Sequence, residues 1–168
     1  MNERMIILMG VSGCGKSAVG QALSARLGVP FLEGDEFHPP ENVAKMSSGI
    51  PLEDVDRVGW MSAIRDAMAR QQGSAIVSCS ALKRKHRSFL SDLPKPVLFV
   101  HLHGDRRLLE KRIEERVDHF FDPKLLNSQL ACLEKPCSEE AALAIDVDSS
   151  VENIVAMIHA HLETFAKN

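Results

Sequence analysis

The chain has 168 residues, 45% of them hydrophobic and 26% charged, a balance ordinary for a folded globular protein and contrary to disorder. Its length suits one domain spanning residues 1–168. A formal net charge of −3 gives no global field to draw nucleic acid or an anionic membrane, so neither is an expected partner.

No apolar run approaches the roughly 18 residues of a membrane-crossing helix, and the opening MNERMIILMG lacks the shape of a secretory leader. The four cysteines, Cys14, Cys79, Cys132 and Cys137, make no disulfide framework in a chain of this size. A cytoplasmic protein with reduced thiols is expected.

Taken in chain order, Met5–Met9 is the apolar run that a buried parallel strand requires. GVSGCGKS follows, and helix-compatible sequence runs from Lys16 to Leu27, with Val19, Leu23 and Leu27 at helical spacing and Gly28 as the stop. Pro30–Leu32 reads as a second short strand leading into Glu33, Gly34 and Asp35. Pro39–Ile50 reads as a short helix and loop. Asp54 to Gln72 reads as a longer helix with Trp60, Ile64, Ala67 and Met68 on one face. Ala75–Cys79 is a third strand and Pro96–Leu102 a fourth. Asp105 caps a helix running to about Arg116, and another covers Pro123–Leu133. Leu143–Val147 makes the fifth strand and Val151–Phe165 the last helix. This alternation predicts an α/β sandwich with a mainly parallel sheet, in which chemistry gathers at the carboxyl ends of strands.

Gly10, Gly13 and Gly15 crowd ahead of Lys16 and Ser17 in the spacing G-x-x-x-x-G-K-S, between a strand and a helix. Glycines let successive backbone N–H groups face an anion, and the helix N-terminus adds partial positive charge. Gly10, Val11, Ser12, Gly13, Cys14, Gly15, Lys16 and Ser17 are therefore the expected cradle of a nucleoside triphosphate. Lys16 would reach β- and γ-phosphate oxygens and the Ser17 hydroxyl would ligate Mg²⁺. No N-K-x-D stretch marks a guanine-reading GTPase, and the D-x-x-G match at Asp56–Gly59 falls at the entry to a helix. The third strand runs into Ser78, Cys79 and Ser80 where a large ATPase motor carries Asp. Those absences favour a small kinase using ATP and Mg²⁺.

A kinase needs an acceptor hydroxyl in line with the γ-phosphate. Asp35, after the second strand, is placed to orient or deprotonate an alcohol; the plainer reading is a solvated turn aspartate. In SALKRKHR, Lys83 and Arg87 stand at i, i+4, a pairing suited to a carboxylate. Ser80, Lys83 and Arg87 are read as functional, Arg84 and Lys85 as a solvated basic face. Arg112 and Arg116 repeat the spacing in RRLLEKRIEERVDHFF, and two readings stay open for them. They are lid arginines stabilising charge on the transferred phosphoryl group, or part of a surface helix laced with Glu110, Glu114 and Glu115. His101 and His103 share a strand face without a third ligand, so ordinary strand residues are expected. Cys14, at a helix N-terminus, is at most a redox liability, and Cys132 and Cys137 are read as structural.

Together these stretches resemble the bacterial-type gluconokinases. The phosphate loop is widely shared, but FLEGDEFHPPENVAKMSSGIPLEDVDRVGW is more specific. It resembles that family's F-L-[DE]-G-D-x-[FL]-H-P, N-[IV]-x-K-M-x-x-G-x-P-L and D-x-D-R-x-x-W pieces in unbroken order. CSALKRKHR, HFF and LLNSQLACLEKP are similar to its later segments, so the likeness runs from about Ile6 to Val147. The resemblance implies a P-loop kinase fold, a three-layer sandwich with a five-stranded parallel sheet and a helical lid over about 112–135, usually as a homodimer. It implies ATP-dependent 6-phosphorylation of D-gluconate, giving 6-phosphogluconate and ADP. Asp35 becomes the base or hydroxyl-orienting group. His38, Lys45, Arg57, Ser80, Lys83 and Arg87 become D-gluconate contacts, and Arg112 and Arg116 become lid residues acting with Lys16 and Asp35. Glu33 departs from a frequent Asp, and Asp118 from a frequent Gly before His119. The rivals are another small-acceptor kinase of the shikimate-kinase kind and a nucleotide-binding regulatory module without turnover. Shikimate kinases do not resemble HPPENVAKM or DVDRVGW, and the retained Lys16, Ser17, Asp35 and arginines weigh against the module.

Overall fold

The structure, a computed structural model, describes residues 3–115 and 125–165. Five strands, β1 (Met5–Met9), β2 (Phe31–Leu32), β3 (Ala75–Ser78), β4 (Val97–His103) and β5 (Ala142–Asp146), form one sheet in the order β2-β3-β1-β4-β5. Every pairing is parallel. The helices are α1 (Lys16–Leu27), α2 (Pro40–Ser47), α3 (Asp54–Ala69), α4 (Arg84–Ser91), α5 (Arg106–Glu114), α6 (Leu125–Cys132) and α7 (Val151–Phe165).

β1 is apolar throughout because it is covered on both faces and flanked by strands on both edges; none of its five residues reaches solvent. Alternation along the strand divides it between two cores. Ile6 and Leu8 pack with Val19 and Leu23 of α1 and Ile154, Ile158 and Leu162 of α7. Met5, Ile7 and Met9 pack with Trp60, Ile64 and Met68 of α3 and Leu90 of α4. The result is the three-layer sandwich expected from the sequence.

β1 pairs with β3 on one side and β4 on the other, with Leu8 opposite both Ser78 and Val100. The chain thus leaves β1 at the point where strand order reverses, and the loops after β1, β2 and β3 open into one crevice. A four-residue 3₁₀ turn, Gly34–Phe37, follows β2. A Cβ on Gly34 would lie 1.8 Å from the Ser78 carbonyl oxygen, so glycine lets this turn lie directly against β3.

Three elements differ from the sequence expectation. The helix expected to reach Gln72 ends at Ala69. Arg84–Ser91 forms a helix that the sequence reading named only as a spacing, because RKHR gives it no apolar stripe before Phe89 and Leu90. The helix expected to run to about Arg116 spans Arg106–Glu114, and Arg116, Asp118 and the HFF segment lie outside the described residues. Among the described residues no helix is long and apolar enough to cross a membrane.

Candidate active site

Between β1 and α1 the chain turns through Gly10, Gly13 and Gly15 at φ of +141°, +83° and +89°, values that side-chain-bearing residues adopt at a cost. A Cβ on Gly10 would lie 2.4 Å from the Leu102 carbonyl oxygen, so the loop rests on the end of β4. The Lys16 ammonium lies over this loop and donates to the carbonyls of Gly10 (3.0 Å) and Val11 (3.2 Å). Cys14 is wholly buried, which removes the exposure a reactive thiol requires.

One cleft is walled by Ser12, Lys16 and Ser17 on the phosphate-loop side and by Asp35, His38, Arg57, Trp60 and Ser80 opposite. Met46, Pro51 and Leu52 close one end, and Leu125, Ser128 and Gln129 of α6 form a third wall. The Ser12 N–H donates to Gln129 Oε1 at 2.7 Å, tying α6 to the loop.

The acceptor wall is assembled from α2, α3 and the turn after β2. Trp60 Nε1 donates to the Gly34 carbonyl at 2.7 Å, which fixes the backbone next to Asp35. The His38 ring stacks on Trp60, centroids 4.1 Å apart at 13°. Asn42, itself buried, donates from Nδ2 to His38 Nδ1 (3.3 Å) and to the Asp56 carbonyl (2.9 Å). His38 Nε2 then lies 4.0 Å from Asp35 Oδ1. Burial lowers the His38 pKa from 6.5 to about 4 despite the opposing pull of Asp35, and Arg57 adds to the lowering. His38 is therefore neutral near pH 7 and leaves the Asp35 charge uncompensated.

Of the residues expected at the site, the cleft gathers Ser12, Lys16, Ser17, Asp35, His38, Arg57 and Ser80. Lys45, Lys83, Arg87 and Arg112 stand off its lining, and Arg116 lies outside the described residues. Lys45 pairs with Asp56 at 2.8 Å and Lys83 with Asp54 at 3.0 Å. Asp54 also takes Lys85 at 2.5 Å, His86 Nε2 at 3.5 Å and Arg57 at 3.6 Å. Hydrogen bonds from Lys85 and Lys83 hold its carboxyl far below the usual carboxylate range. Lys85 and Arg84 are exposed, as the reading of a solvated basic face expects, and each has a carboxylate partner at the surface, Asp54 and Glu139.

Arg87 is the largest correction. It is 1% exposed and bound through Nε and Nη2 to Glu140, whose pKa these bonds lower to about 2. Its Nη1 donates to the carbonyls of Ala81 (3.1 Å), Leu82 (3.2 Å) and Glu134 (2.9 Å). Ala81 has φ +42°, a strained value for a non-glycine residue. Arg87 thus clamps the turn that presents Ser80 and does not line the cleft. Glu33 likewise faces away, accepting from Ser78 Oγ. Arg112 donates to the Val147 carbonyl at 2.8 Å and lies beside Gly15, off the cleft lining.

Trp60 was read from the sequence as a core residue only, and Leu125, Ser128 and Gln129 were given no role. The SQ pair inside LLNSQLACLEKP was the available signal, since a polar pair interrupts an otherwise apolar helix face.

Among the described residues no cluster of three or more His, Cys, Asp or Glu side chains is arranged to hold a metal ion. The Ser17 hydroxyl, beside Lys16 and facing Asp35 in the cleft, fits a hard ion that keeps phosphate and water oxygens as its other ligands.

A glycine-rich loop between the central strand and α1, facing a carboxylate at the end of β2 across one cleft, defines a small P-loop kinase. The shikimate kinase family matches residues 12–163. The probable gluconokinase of Xenopus tropicalis is 40% identical over 95% of this chain and 93% of its own length. The thermoresistant gluconokinase of Escherichia coli strain K12 is 39% identical over 92% of this chain and 91% of its own. The crystal structure of a gluconokinase from Sinorhizobium meliloti 1021 superposes with a TM-score of 0.90 at 45% identity, covering 99% of this chain and 95% of that one. The chain belongs to the gluconokinases, within the shikimate-kinase-like P-loop kinases.

Proposed function

We infer that this chain transfers the γ-phosphoryl group of ATP to D-gluconate, giving 6-phospho-D-gluconate and ADP. The observation that carries the reading is the cleft in which Lys16 and Ser17 face Asp35 and Arg57. The phosphate-loop amides and Lys16 hold the triphosphate, and Lys16 offsets negative charge as the bond to ADP breaks. Asp35 accepts the proton of the attacking hydroxyl as its oxygen bonds to phosphorus. Neutral His38 favours this by not forming an ion pair with Asp35.

Arg57, its side chain only 12% exposed, supplies a guanidinium for the substrate carboxylate. Ser80 and the polar edge of the His38–Trp60 pair offer hydrogen bonds to a polyol. In this reading Lys45, Lys83 and Arg87 act indirectly, by holding α3 and the Ser80 turn. The Ser17 hydroxyl would hold Mg²⁺, whose charge would offset that of the phosphate oxygens. Arg112 and Arg116 as lid residues, a cytoplasmic setting and a homodimer complete the proposal, supported by the family resemblance.

The test is ADP release with ATP and Mg²⁺ across a panel of D-gluconate, other sugar acids, shikimate and polyols. Release that depends on D-gluconate is expected. Preference for shikimate, or ADP release indifferent to every acceptor, overturns the reading.

A further inference from the structure

We propose that Gln129 is a catalytic residue, donating from Nε2 to the phosphoryl group in transit. The proposal rests on reading the cleft as a phosphoryl-transfer site. Gln129 stands on α6, where the buried Leu125 and Leu126 anchor the helix to the protein. Its Oε1 accepts from the Ser12 N–H at 2.7 Å, across 117 residues of sequence. A backbone N–H only donates, so this bond identifies which end of the carboxamide is oxygen. The opposite end, Nε2, carries two donors, and no bond from it is formed among the described residues. Gln129 lines the same cleft as Lys16, Ser17 and Asp35.

That position answers a need of the reaction. As the phosphoryl group leaves ADP, negative charge spreads over its three equatorial oxygens. Lys16 meets that charge from the loop side, while Arg57 lies 3.6 Å from Asp54, on the acceptor side. A donor facing the loop from the third wall completes the enclosure. A neutral amide suits the place, because another cation there would pair with Asp35 and weaken it as a proton acceptor. The Ser12 N–H is then not lost to catalysis. It orients the carboxamide, which presents two donors in place of one.

The experiment compares Gln129→Ala and Gln129→Glu with the wild type by kcat, by KM for ATP and by thermal midpoint. Glu keeps an acceptor for the Ser12 N–H but has no donor at its other end. Both variants are expected to lose about 100-fold in kcat with the midpoint little changed; KM for ATP should stay within about threefold in Gln129→Ala and rise in Gln129→Glu, whose carboxylate faces the phosphates. Wild-type kcat in Gln129→Ala, or rescue of kcat by Gln129→Glu, overturns the proposal and leaves only a latch between α6 and the loop. A second readout is independent of the acceptor: the gain in ADP affinity on adding Mg²⁺ and aluminium fluoride, which mimics the planar phosphoryl group. The wild type is expected to gain at least tenfold and the variants to lose that gain. A wild type that gains nothing, or variants that gain as much, also overturns the proposal. Failure of D-gluconate to stimulate ADP release would instead defeat the acceptor assignment, and the fluoride measurement would still decide Gln129.

Discussion

Arg87→Met separates the structural reading of this residue from the one its sequence spacing suggests. The substitution keeps most of the side-chain volume and removes the guanidinium. Glu140, its side chain 12% exposed, is left without its cation, and the carbonyls of Ala81, Leu82 and Glu134 lose a donor. Breaking a buried ion pair from one side costs about 3–5 kcal/mol; the Leu82 carbonyl keeps the Glu134 N–H, while those of Ala81 and Glu134 lose this donor and add to the cost. The whole stability of such a domain is about 5–15 kcal/mol. At about 2.1 cal/mol/K per residue, a chain of 168 residues has an unfolding entropy near 0.35 kcal/mol/K, so the thermal midpoint should fall by about 10 °C. The assay is far-UV circular dichroism on heating, with Glu140→Gln and the double variant closing a mutant cycle. The double variant should cost less than the two single changes combined. At temperatures where the variant stays folded, KM for D-gluconate should be close to that of the wild type. A midpoint within about 2 °C of wild type, joined to a KM for D-gluconate raised tenfold or more, would refute the argument and put Arg87 on the substrate.

Asp35→Asn should lower kcat by about 10²–10⁴-fold while ATP affinity, measured by titration calorimetry, stays within a few-fold; equal loss of both would count against a proton-accepting role. Ser17→Ala should raise the Mg²⁺ concentration needed for half-maximal turnover, and chelation of Mg²⁺ should abolish turnover in the wild type; an unchanged Mg²⁺ requirement would remove Ser17 from the ion. Burial lowers the pKa of both His38 and His101 from 6.5 to about 4. Below pH 6.5 the unfolded chain therefore binds protons that the folded chain refuses, and stability should fall as pH drops from 6.5 toward 4. The Glu140 contribution runs in a lower window, present above its ordinary value of 4.5 and lost as pH falls toward 2. Thermal midpoints that stay level between pH 7 and 5 would contradict the histidine assignment.

The sheet was legible because its signals are local. Met5–Met9 is apolar over its whole length, as a strand buried on both faces must be, and three glycines before Lys16 define a turn that few other residues can make. Asp35 was legible from its place after a strand end. Trp60 was only half legible: helical periodicity reports burial, and this side chain is 3% exposed yet walls the cleft through its ring. Gln129 gave no charge to notice, and its partner lies 117 residues away. Arg87 misled for a related reason. The i, i+4 spacing with Lys83 assumes one exposed helix face, but Lys83 precedes the first residue of α4 and Arg87 turns inward. Its partner Glu140 is 53 residues distant, beyond any local pattern.

The arrangement of charge around Asp35 follows from a conflict in the chemistry. An acidic acceptor and a triphosphate both call for cations, whereas an aspartate that must take a proton is weakened by them. The structure separates the two demands in space. Asp54 and Asp56 stand in the first turn of α3, where the helix terminus favours negative charge, and they gather Lys45, Lys83 and Lys85. His38, whose Nε2 lies 4.0 Å from Asp35, is kept neutral by burial against Trp60. Among the described residues the cations lining the cleft are Arg57 on the acceptor wall, 3.6 Å from Asp54, and Lys16 on the phosphate wall. One guanidinium matches an acceptor with a single carboxylate, and a dicarboxylate would leave its second charge facing Asp35.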